Sequence, residues 1–236
     1  MQAGSNTGSK EGEPTVATDF ADLLLTVLPF ALASMVSPLA VITVMAVLSA
    51  TKRRAFKAIL FTVTYATVFS VLCLLLVAIG SAATRGGKPS AVTAGIDFFL
   101  GVVLLYTAGR SLTKERATRS FDPDSMSAVA VVSMAVIFSA SNISSLIPAL
   151  AASKDIGVAV VPLFEKATAF VLVLVIALSW IWAPVAAYLL MPKKFDRLFD
   201  PVRRLLRKRG GQMMAAVFLL IGLYLIFRGV TGFAAL

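Results

Sequence analysis

The sequence predicts an all-α integral membrane protein with six transmembrane helices, arranged as two inverted three-helix repeats. The first observation is composition, since 58% of the 236 residues are hydrophobic and the mean hydropathy is +0.90, unlike a soluble domain. The second is placement, because the basic residues lie in short segments between long apolar runs. The third is a likeness between two apolar runs, one in each half of the chain, that are both polar in the middle.

The first apolar run, Phe20–Ala50, is longer than the roughly 20 helical residues that cross a bilayer core. Ser37 and Pro38 at its centre predict a break, because proline removes a backbone donor and disfavours helical geometry in the residue before it. In hydrocarbon, a break is tolerated only where it faces protein or a water-filled cavity. We therefore expect Ser37 and Pro38 to line a substrate site.

The run Ala128–Ala152 resembles the first one in hydropathy and in the position of its polar centre. A shift of 105 residues along the sequence places Asn142 on Ser37. The sequence leaves open whether this fourth helix breaks at Asn142 or at Pro148. Corresponding interrupted segments in two halves of a transporter mark its substrate site. The candidate substrate-binding residues in this run are Ser141, Asn142, Ser144 and Ser145.

Four further apolar runs complete the six spans. Each is long enough to cross a hydrocarbon core, which takes roughly 20 helical residues. In the second helix, Thr64 and Thr67 recur on one face, which indicates either helix packing or a lining of the substrate path. The expected bounds of these helices are Ala58–Gly80, Ala91–Gly109, Pro162–Leu190 and Gln212–Phe233.

Ionisable residues inside apolar spans are functional candidates, because burying a charge in a membrane is expensive. Asp97 lies about two turns into the third helix, and Glu165 and Lys166 lie near the start of the fifth. All three are candidates for coupling transport to protons. The alternatives are structural: Asp97 paired with Lys166 or capped by hydroxyls of the second helix, and Glu165 with Lys166 as an interfacial ion pair. Arg228 is expected to extend its side chain out to the membrane surface.

The polar segments divide the chain into domains. Residues 1–19 are rich in Gly, Ser, Thr and Glu and are predicted to be a disordered tail. Residues 20–110 are predicted to form the first three-helix repeat. Residues 111–126 are a cytoplasmic connector, and residues 127–236 form the second repeat.

Within the second repeat, residues 193–209 are amphipathic. Their apolar positions recur at helical spacing with Arg and Lys between them, which predicts a segment lying in the membrane interface. We expect it to be broken near Pro201 and to end at Gly210-Gly211. Its basic side chains are predicted to attract anionic lipid head groups, with membrane topology alone as the alternative explanation. The head-group candidates are Arg203, Arg204 and Arg207.

The loop charges predict the orientation. Most Lys and Arg residues lie in the connectors that follow helices one, three and five. The positive-inside rule then places both termini outside the cytoplasm of a bacterial inner membrane. An odd number of helices per half makes the repeats antiparallel, so that Ser37 and Asn142 meet near the midplane from opposite directions. The few basic residues on the outer side are Lys10, Arg85, Lys88, Lys154, Lys166 and Arg228.

The residue types exclude several function classes. The chain has no His, which removes Ser-His and Cys-His catalysis and His-based metal sites. The one cysteine, Cys73, cannot form an intramolecular disulfide and is expected to be a small buried hydrophobic residue. The net charge of +10 resides in loops, so nucleic acid is not an expected partner. We expect no enzymatic activity, no cofactor and no metal.

At these residues the chain resembles the LysE exporter superfamily, and within it most closely the glycolipid-addressing GAP family of actinobacteria, which includes the sulfolipid-addressing proteins. The likeness covers nearly all of Phe20–Phe233 and rests on the order of several motifs. In that family the fourth helix often carries Asn-Pro, whereas Ile143 follows Asn142 here. The motifs are the Ser37-Pro38 break, the basic Lys52-Arg53-Arg54, the third-helix sequence GIDFFLGVVLLYTAGRSL, Asn142 and the arginine-rich stretch before the last helix.

The resemblance implies export, or transfer between leaflets, of a substrate made in the cytoplasm. We expect a transporter of a cell-envelope glycolipid or lipid-linked sugar, because the predicted midplane offers Ser, Thr and Asn and not the several carboxylates that a cation path needs. The alternatives are an exporter of a small solute, such as an amino acid or cation, and a non-transporting scaffold for envelope lipid machinery. Expected partners are the lipid substrate and membrane lipids, and association into a homo-oligomer is left open.

Overall fold

The structure is a computed structural model that describes residues 17–35, 37–48, 50, 53–83, 91–113, 126–192 and 195–234. Nearly all of the expected tail and of the connector at 111–126 therefore lie outside the described residues. Within those residues the chain is helical throughout, with short turns between helices. The helices are α1 (Phe20–Met35), α2 (Pro38–Leu48), α3 (Arg54–Ala83), α4 (Ala91–Thr113), α5 (Ala128–Ser141), α6 (Ile143–Val158), α7 (Leu163–Leu190) and α8 (Phe195–Ala234).

Four stretches of the described helices are long and apolar enough to cross a membrane on their own. Two bent pairs meet the same criterion when each pair is taken together, namely α1 with α2 and α5 with α6. The described chain therefore has four to six candidate spans, and the predicted number of six is reached when each bent pair counts as one span. The four single spans are Arg54–Ala83, Ala91–Arg110, Leu163–Leu190 and Gln212–Ala234.

Both predicted helix breaks are present. The axes of α1 and α2 make an angle of 48°, and those of α5 and α6 make an angle of 62°. The second break falls at Asn142, whose φ of −78° and ψ of 65° lie outside the helical region. Pro148 lies inside α6, so the break occurs at Asn142 and not at the proline.

Helix α6 is surrounded by protein. Nearly every residue from Ser144 to Gly157 is buried, and α6 packs against α1, α3, α4 and α7. The apolar core lies on both sides of it, around Phe61 of α3 on one side and around Phe218 of α8 on the other. The outer helices instead expose large apolar side chains, as expected for surfaces that face lipid.

Close backbone contacts hold two helix pairs together. A Cβ atom at Gly101 of α4 would lie 2.9 Å from the carbonyl oxygen of Gly222 of α8. A Cβ atom at Gly80 of α3 would lie 2.7 Å from the carbonyl oxygen of Lys154 of α6. Small residues that allow such approach are typical of helix packing in membranes, where dispersion contacts drive association.

Two predicted helix bounds are wrong. Helix α8 runs unbroken for 40 residues, through Pro201 and Gly210-Gly211. A proline removes one helical hydrogen bond, and each glycine destabilises a helix by about 1 kcal/mol relative to alanine. A helix of this length remains continuous despite both effects. The fourth predicted span also continues beyond Ala152, because α6 ends only at Val158. The last turns of α6 stay helical because the charged side chains in these turns have buried partners on α4 and α8.

Candidate functional site

The two helix breaks meet at a buried cluster of uncharged polar side chains, called the polar centre below. Helix α5 has 14 residues and is therefore about 21 Å long, shorter than a hydrocarbon core of roughly 30 Å. All six members of the cluster are buried. They are Ser34, Ser37, Tyr65, Asn142, Ser144 and Ser145.

The break after α1 leaves a backbone carbonyl to be satisfied. In a continuous helix the carbonyl of Ser34 would accept a hydrogen bond from the amide of residue 38, but Pro38 has no amide hydrogen. The hydroxyl of Ser145 donates to that carbonyl instead, over 2.6 Å. The second broken helix thus supplies the donor that the first one lacks.

This contact is reciprocal. The hydroxyl of Ser34 donates to the carbonyl of Ser145 over 2.5 Å. Three residues further along, Ser37 contacts Asn142, which lies three residues before Ser145. The broken segments therefore run past each other in opposite directions where they cross.

Asn142 uses both halves of its side-chain amide. Its Nδ2 donates to the hydroxyls of Ser37 (3.1 Å) and Tyr65 (3.0 Å). Its Oδ1 accepts from the hydroxyl of Ser144 over 2.6 Å. Its backbone is satisfied as well, because its N–H donates to Phe138 and its carbonyl accepts from the first turn of α6. The helix break is thus stabilised by hydrogen bonds that cross to the break between α1 and α2 and to helix α3.

Tyr65 holds the third side of the polar centre. Its ring is fully buried and stacks on Phe69, with a centroid separation of 5.8 Å. Phe138 of α5 packs against it at 6.2 Å. The hydroxyl of Ser139 donates to the Tyr65 carbonyl over 3.3 Å. The aromatic packing fixes the direction of the phenol, which points its hydroxyl at Asn142.

Only some of the substrate-binding candidates predicted from the sequence come together in the structure. Ser37, Asn142, Ser144 and Ser145 come together as expected. Ser141 is exposed, Thr64 is only half-buried, and Thr67 is exposed and donates to the carbonyl of Val63 in its own helix over 2.9 Å. These three side chains lie outside the polar centre. The hydrogen bond of Thr67 stays within helix α3. The side chain of Pro38 lies outside the described part of the structure.

A second polar feature, the charge cluster, joins α4, α6 and α8. Lys154 donates a short hydrogen bond to Asp97, and its Nζ lies 3.1 Å from Oδ1 of Asp155. Arg228 forms a bidentate pair with Asp155, with N–O distances of 2.6 and 2.7 Å. Its Nε lies 3.5 Å from Oδ2 of Asp97. Each carboxylate therefore contacts both cations, and the four charges cancel.

The charge cluster corrects three expectations. Asp97 is paired with Lys154 and Arg228 and not with Lys166, because α6 and not α7 packs beside this part of α4. The side chain of Arg228 is only 20% exposed and does not extend to the surface, since Asp155 satisfies its guanidinium inside the bundle. Lys154, expected on the outer side beyond the fourth helix, is 1% exposed.

The remaining candidates lie apart from both features. Lys166 is half-buried and donates to the carbonyl of Gly157 over 3.0 Å, which caps the end of α6. Glu165 is half-buried near the start of α7. The backbone of residues 203–207 is helical, but the side chains of the head-group candidates Arg203, Arg204 and Arg207 lie outside the described part of the structure.

Sequence reasoning missed several residues of these two features. Tyr65 was not singled out, because aromatic residues are common in apolar spans. Lys154 and Asp155 follow an apolar run, where a charged dipeptide usually indicates a loop. One available signal was the presence of both acids and bases within or beside the apolar runs, since buried charges pair. The residues missed are Ser34, Tyr65, Lys154, Asp155 and Arg228.

A chain whose described residues are helical and contain four to six candidate spans, and in which two broken helices meet at a buried polar centre, is a multi-pass membrane protein. The family model described as Sap, sulfolipid-1-addressing protein, matches residues 27–231, and the chain belongs to this family. The resemblance to the sulfolipid-addressing proteins is thereby confirmed, and that to the wider LysE superfamily stays a prediction. No curated protein and no solved structure matches the sequence.

Proposed function

We propose that the protein exports or flips a cell-envelope glycolipid or lipid-linked sugar from the inner towards the outer leaflet of the cell membrane. The observation that carries this proposal is the polar centre, an uncharged set of donors and acceptors at the crossing of two broken helices. The family is named for a sulfolipid, which is consistent with an amphipathic cargo.

The polar centre suits a head group rich in hydroxyls. Its hydroxyls and the Asn142 amide each can donate and accept, so a sugar can replace their mutual hydrogen bonds one for one. None of the six side chains ionises near neutral pH, so a neutral or singly charged head group meets no fixed like charge. The acyl chains would stay in the bilayer while the head group moves.

The geometry also supports a mechanism of alternating exposure. In the described structure, Ser34 and Ser145 hold each other and Asn142 holds Ser37, so the polar centre is closed. Each break is a point where one half of a span can rotate without losing helical hydrogen bonds. The opposite directions of the two segments favour two inverted repeats, at 20–110 and 127–236, that open the polar centre to one side and then to the other.

The alternative hypothesis, export of a small solute, has less support for a cation than for an amino acid. A cation path needs carboxylates that are free to bind the ion. Asp97 and Asp155, the buried acids of the charge cluster, are each neutralised by Lys154 and Arg228. Within the described residues no three His, Cys, Asp or Glu side chains are grouped as a metal site.

The experiment compares Asn142→Leu with Ser141→Leu in a strain that lacks the native gene. Both changes introduce the same side chain at adjacent positions, but only Asn142 is buried in the polar centre, whereas Ser141 is exposed. We expect the deletion to deplete one outer-envelope glycolipid while its precursor accumulates on the inner leaflet. Ser141→Leu should restore the lipid profile and Asn142→Leu should not, at equal amounts of protein in the membrane.

Three outcomes would contradict this proposal. An unchanged lipid profile in the deletion strain, with raised sensitivity to one amino acid or metal, would favour a small-solute exporter. Full complementation by Asn142→Leu would remove the polar centre as the substrate site. A depleted glycolipid without any lipid transfer by purified protein in vesicles would favour the scaffold.

A further inference from the structure

The charge cluster lies near one end of the membrane-spanning bundle. Asp97 and Arg228 are each six residues from the end of their helix, or about 9 Å. By the orientation that the loop charges predict, this end faces the outside of the cell. Arg228, 20% exposed, is the member nearest to solvent, whereas Lys154 is 1% exposed. The guanidinium side is therefore the most accessible side of the cluster.

The two carboxylates are held unequally. Asp155 accepts two hydrogen bonds from the Arg228 guanidinium at 2.6 and 2.7 Å and also lies 3.1 Å from Lys154. Asp97 has Lys154 as its close partner, and its contact with Arg228 is 3.5 Å long. Because bidentate arginine pairs are the stronger ones, Asp155 keeps its negative charge more firmly than Asp97. Protonation of Asp97 is therefore easier than protonation of Asp155.

We propose that Asp97 is a proton-binding site whose protonation loosens α6 from the closely packed pair α4 and α8 and so couples a proton to the transport cycle. A proton from the outer solution binds the Asp97 carboxylate and makes it a neutral carboxyl, while Lys154 remains an ammonium. The ionic attraction between Asp97 and the two cations is lost. The pair of Asp155 with Arg228 persists, so α6 keeps its ionic contact with α8 while its ionic contact with α4 is lost. Because α4 and α8 are packed closely on each other, α6 shifts relative to both of them. Only the coupling to cargo rests on the proposed function.

Helix α6 connects this site to the polar centre. It carries Lys154 and Asp155 in its last turns and Ser144 and Ser145 in its first. Ser145 lies nine residues before Lys154, or about 14 Å along a helix that is buried almost throughout. A shift of α6 at the charge cluster therefore reaches the reciprocal contact between Ser145 and Ser34.

Other titratable groups surround the cluster. Tyr224 of α8 lies near Arg228, and Lys166 of α7 donates to Gly157 just beyond Asp155. Cys73 of α3 lies beside Ser153. Tyrosine, lysine and cysteine change charge on the alkaline side of neutrality, whereas an acid-range titration belongs to carboxylates. Substitution of individual carboxylates therefore identifies the group that takes the proton.

The test uses the full-length protein in lipid nanodiscs, with the proton as the only ligand. Infrared difference spectra between neutral and acidic pH should show the carbonyl band of a buried, newly protonated carboxyl group. We expect this band to disappear in Asp97→Asn and to remain in Glu165→Gln, which removes a carboxylate on α7 outside the cluster. Asp97→Glu, which keeps a carboxyl group, should retain a titrating band.

A distance measurement tests the movement of α6 relative to α4. Spin labels at the exposed residues Val102 of α4 and Ile79 of α3, in a Cys73→Ser background, report this motion because α3 is packed tightly on α6. The distance should change on acidification. In Asp97→Asn the acid-state distance should already be present at neutral pH, since asparagine imitates the neutral carboxyl group.

Several results would overturn the proposal. A band that persists in Asp97→Asn and vanishes in Asp155→Asn would move the proton site to Asp155. The absence of a buried-carboxyl band at every pH, or an unchanged distance in a folded Asp97→Asn protein, would make the cluster a permanent structural tie. A strain that loses its glycolipid on gene deletion, with purified protein that shows no such band, would leave the proposed function standing and remove only the proton site.

Discussion

The hydrogen bond from Ser145 to the Ser34 carbonyl should depend on the proline at position 38. Pro38 has no amide hydrogen, so the carbonyl has no donor in its own helix, and Ser145 supplies one over 2.6 Å. Removal of the hydroxyl in Ser145→Ala leaves that buried carbonyl without this donor. In a Pro38→Ala background, the new amide of residue 38 can form the helical bond and take over.

The expected loss of unfolding free energy in Ser145→Ala differs between proline and alanine at position 38. A buried carbonyl left without a partner costs about 1–3 kcal/mol. Side-chain hydrogen bonds between membrane helices contribute on average about 0.6 kcal/mol. We therefore expect Ser145→Ala to lower the free energy of unfolding by about 1.5 kcal/mol in the native background and by about 0.5 kcal/mol with alanine at position 38. The coupling energy between the two positions is then about 1 kcal/mol.

The four proteins of this double-mutant cycle are compared by reversible unfolding in mixed micelles of lipid and detergent. Ser139→Ala is the matched control, because Ser139 also donates across to another helix, to the Tyr65 carbonyl at 3.3 Å. That carbonyl lies within α3, where residue 69 keeps its amide, so the effect of Ser139→Ala should be small and independent of position 38. Equal effects of Ser145→Ala in both backgrounds would refute the reasoning.

Two further predictions concern orientation and packing. Single cysteines at Ser90 and Gly210, in a Cys73→Ser background, should react with an impermeant reagent from opposite sides of the membrane, with Ser90 on the outside; labelling of Gly210 alone in intact cells would reverse the orientation. Gly157→Leu should strongly destabilise the protein, because a Cβ atom there would overlap the Val77 carbonyl, whereas Gly109→Leu, where a Cβ atom meets nothing within 4 Å, should be tolerated. Unfolding midpoints that are equal for both variants would contradict the close crossing of α3 and α6.

The helix breaks could be predicted from the sequence because their causes are local. Proline lacks a donor wherever it stands, and serine or asparagine in a long apolar run must find partners within the protein. Both facts can be read from Ser37-Pro38 and from Asn142 without any knowledge of the fold. The choice between Asn142 and Pro148 was not local, because it depended on whether Ser37 and Tyr65 could reach the asparagine side chain.

The charge cluster could be predicted only in part. Asp97 stood out because an acid inside an apolar span is costly. Its partner depended on which helix packs beside α4, which is a property of the tertiary structure. The extension of α6 to Val158 then turned Lys154 from an expected loop residue into a buried one. The same limit applies to Thr67, whose spacing fitted a polar face but whose position on α3 is exposed.

The charge cluster calls for a role besides stability. Four buried charges must each be removed from water, and replacing such a network with apolar residues of similar volume is often neutral or stabilising in soluble proteins. Leucine-rich packing would therefore join α4, α6 and α8 at least as well.

What apolar contacts lack is a response to protons. A network that remains neutral when intact, and acquires a net charge of one when Asp97 is protonated, gives the bundle two states of different stability. The uncharged polar centre cannot supply this difference, because its hydroxyls and amide keep the same charge in both states. In the proposed mechanism the two features thus have separate roles along α6, with cargo recognition at its first turn and the change of state at its last.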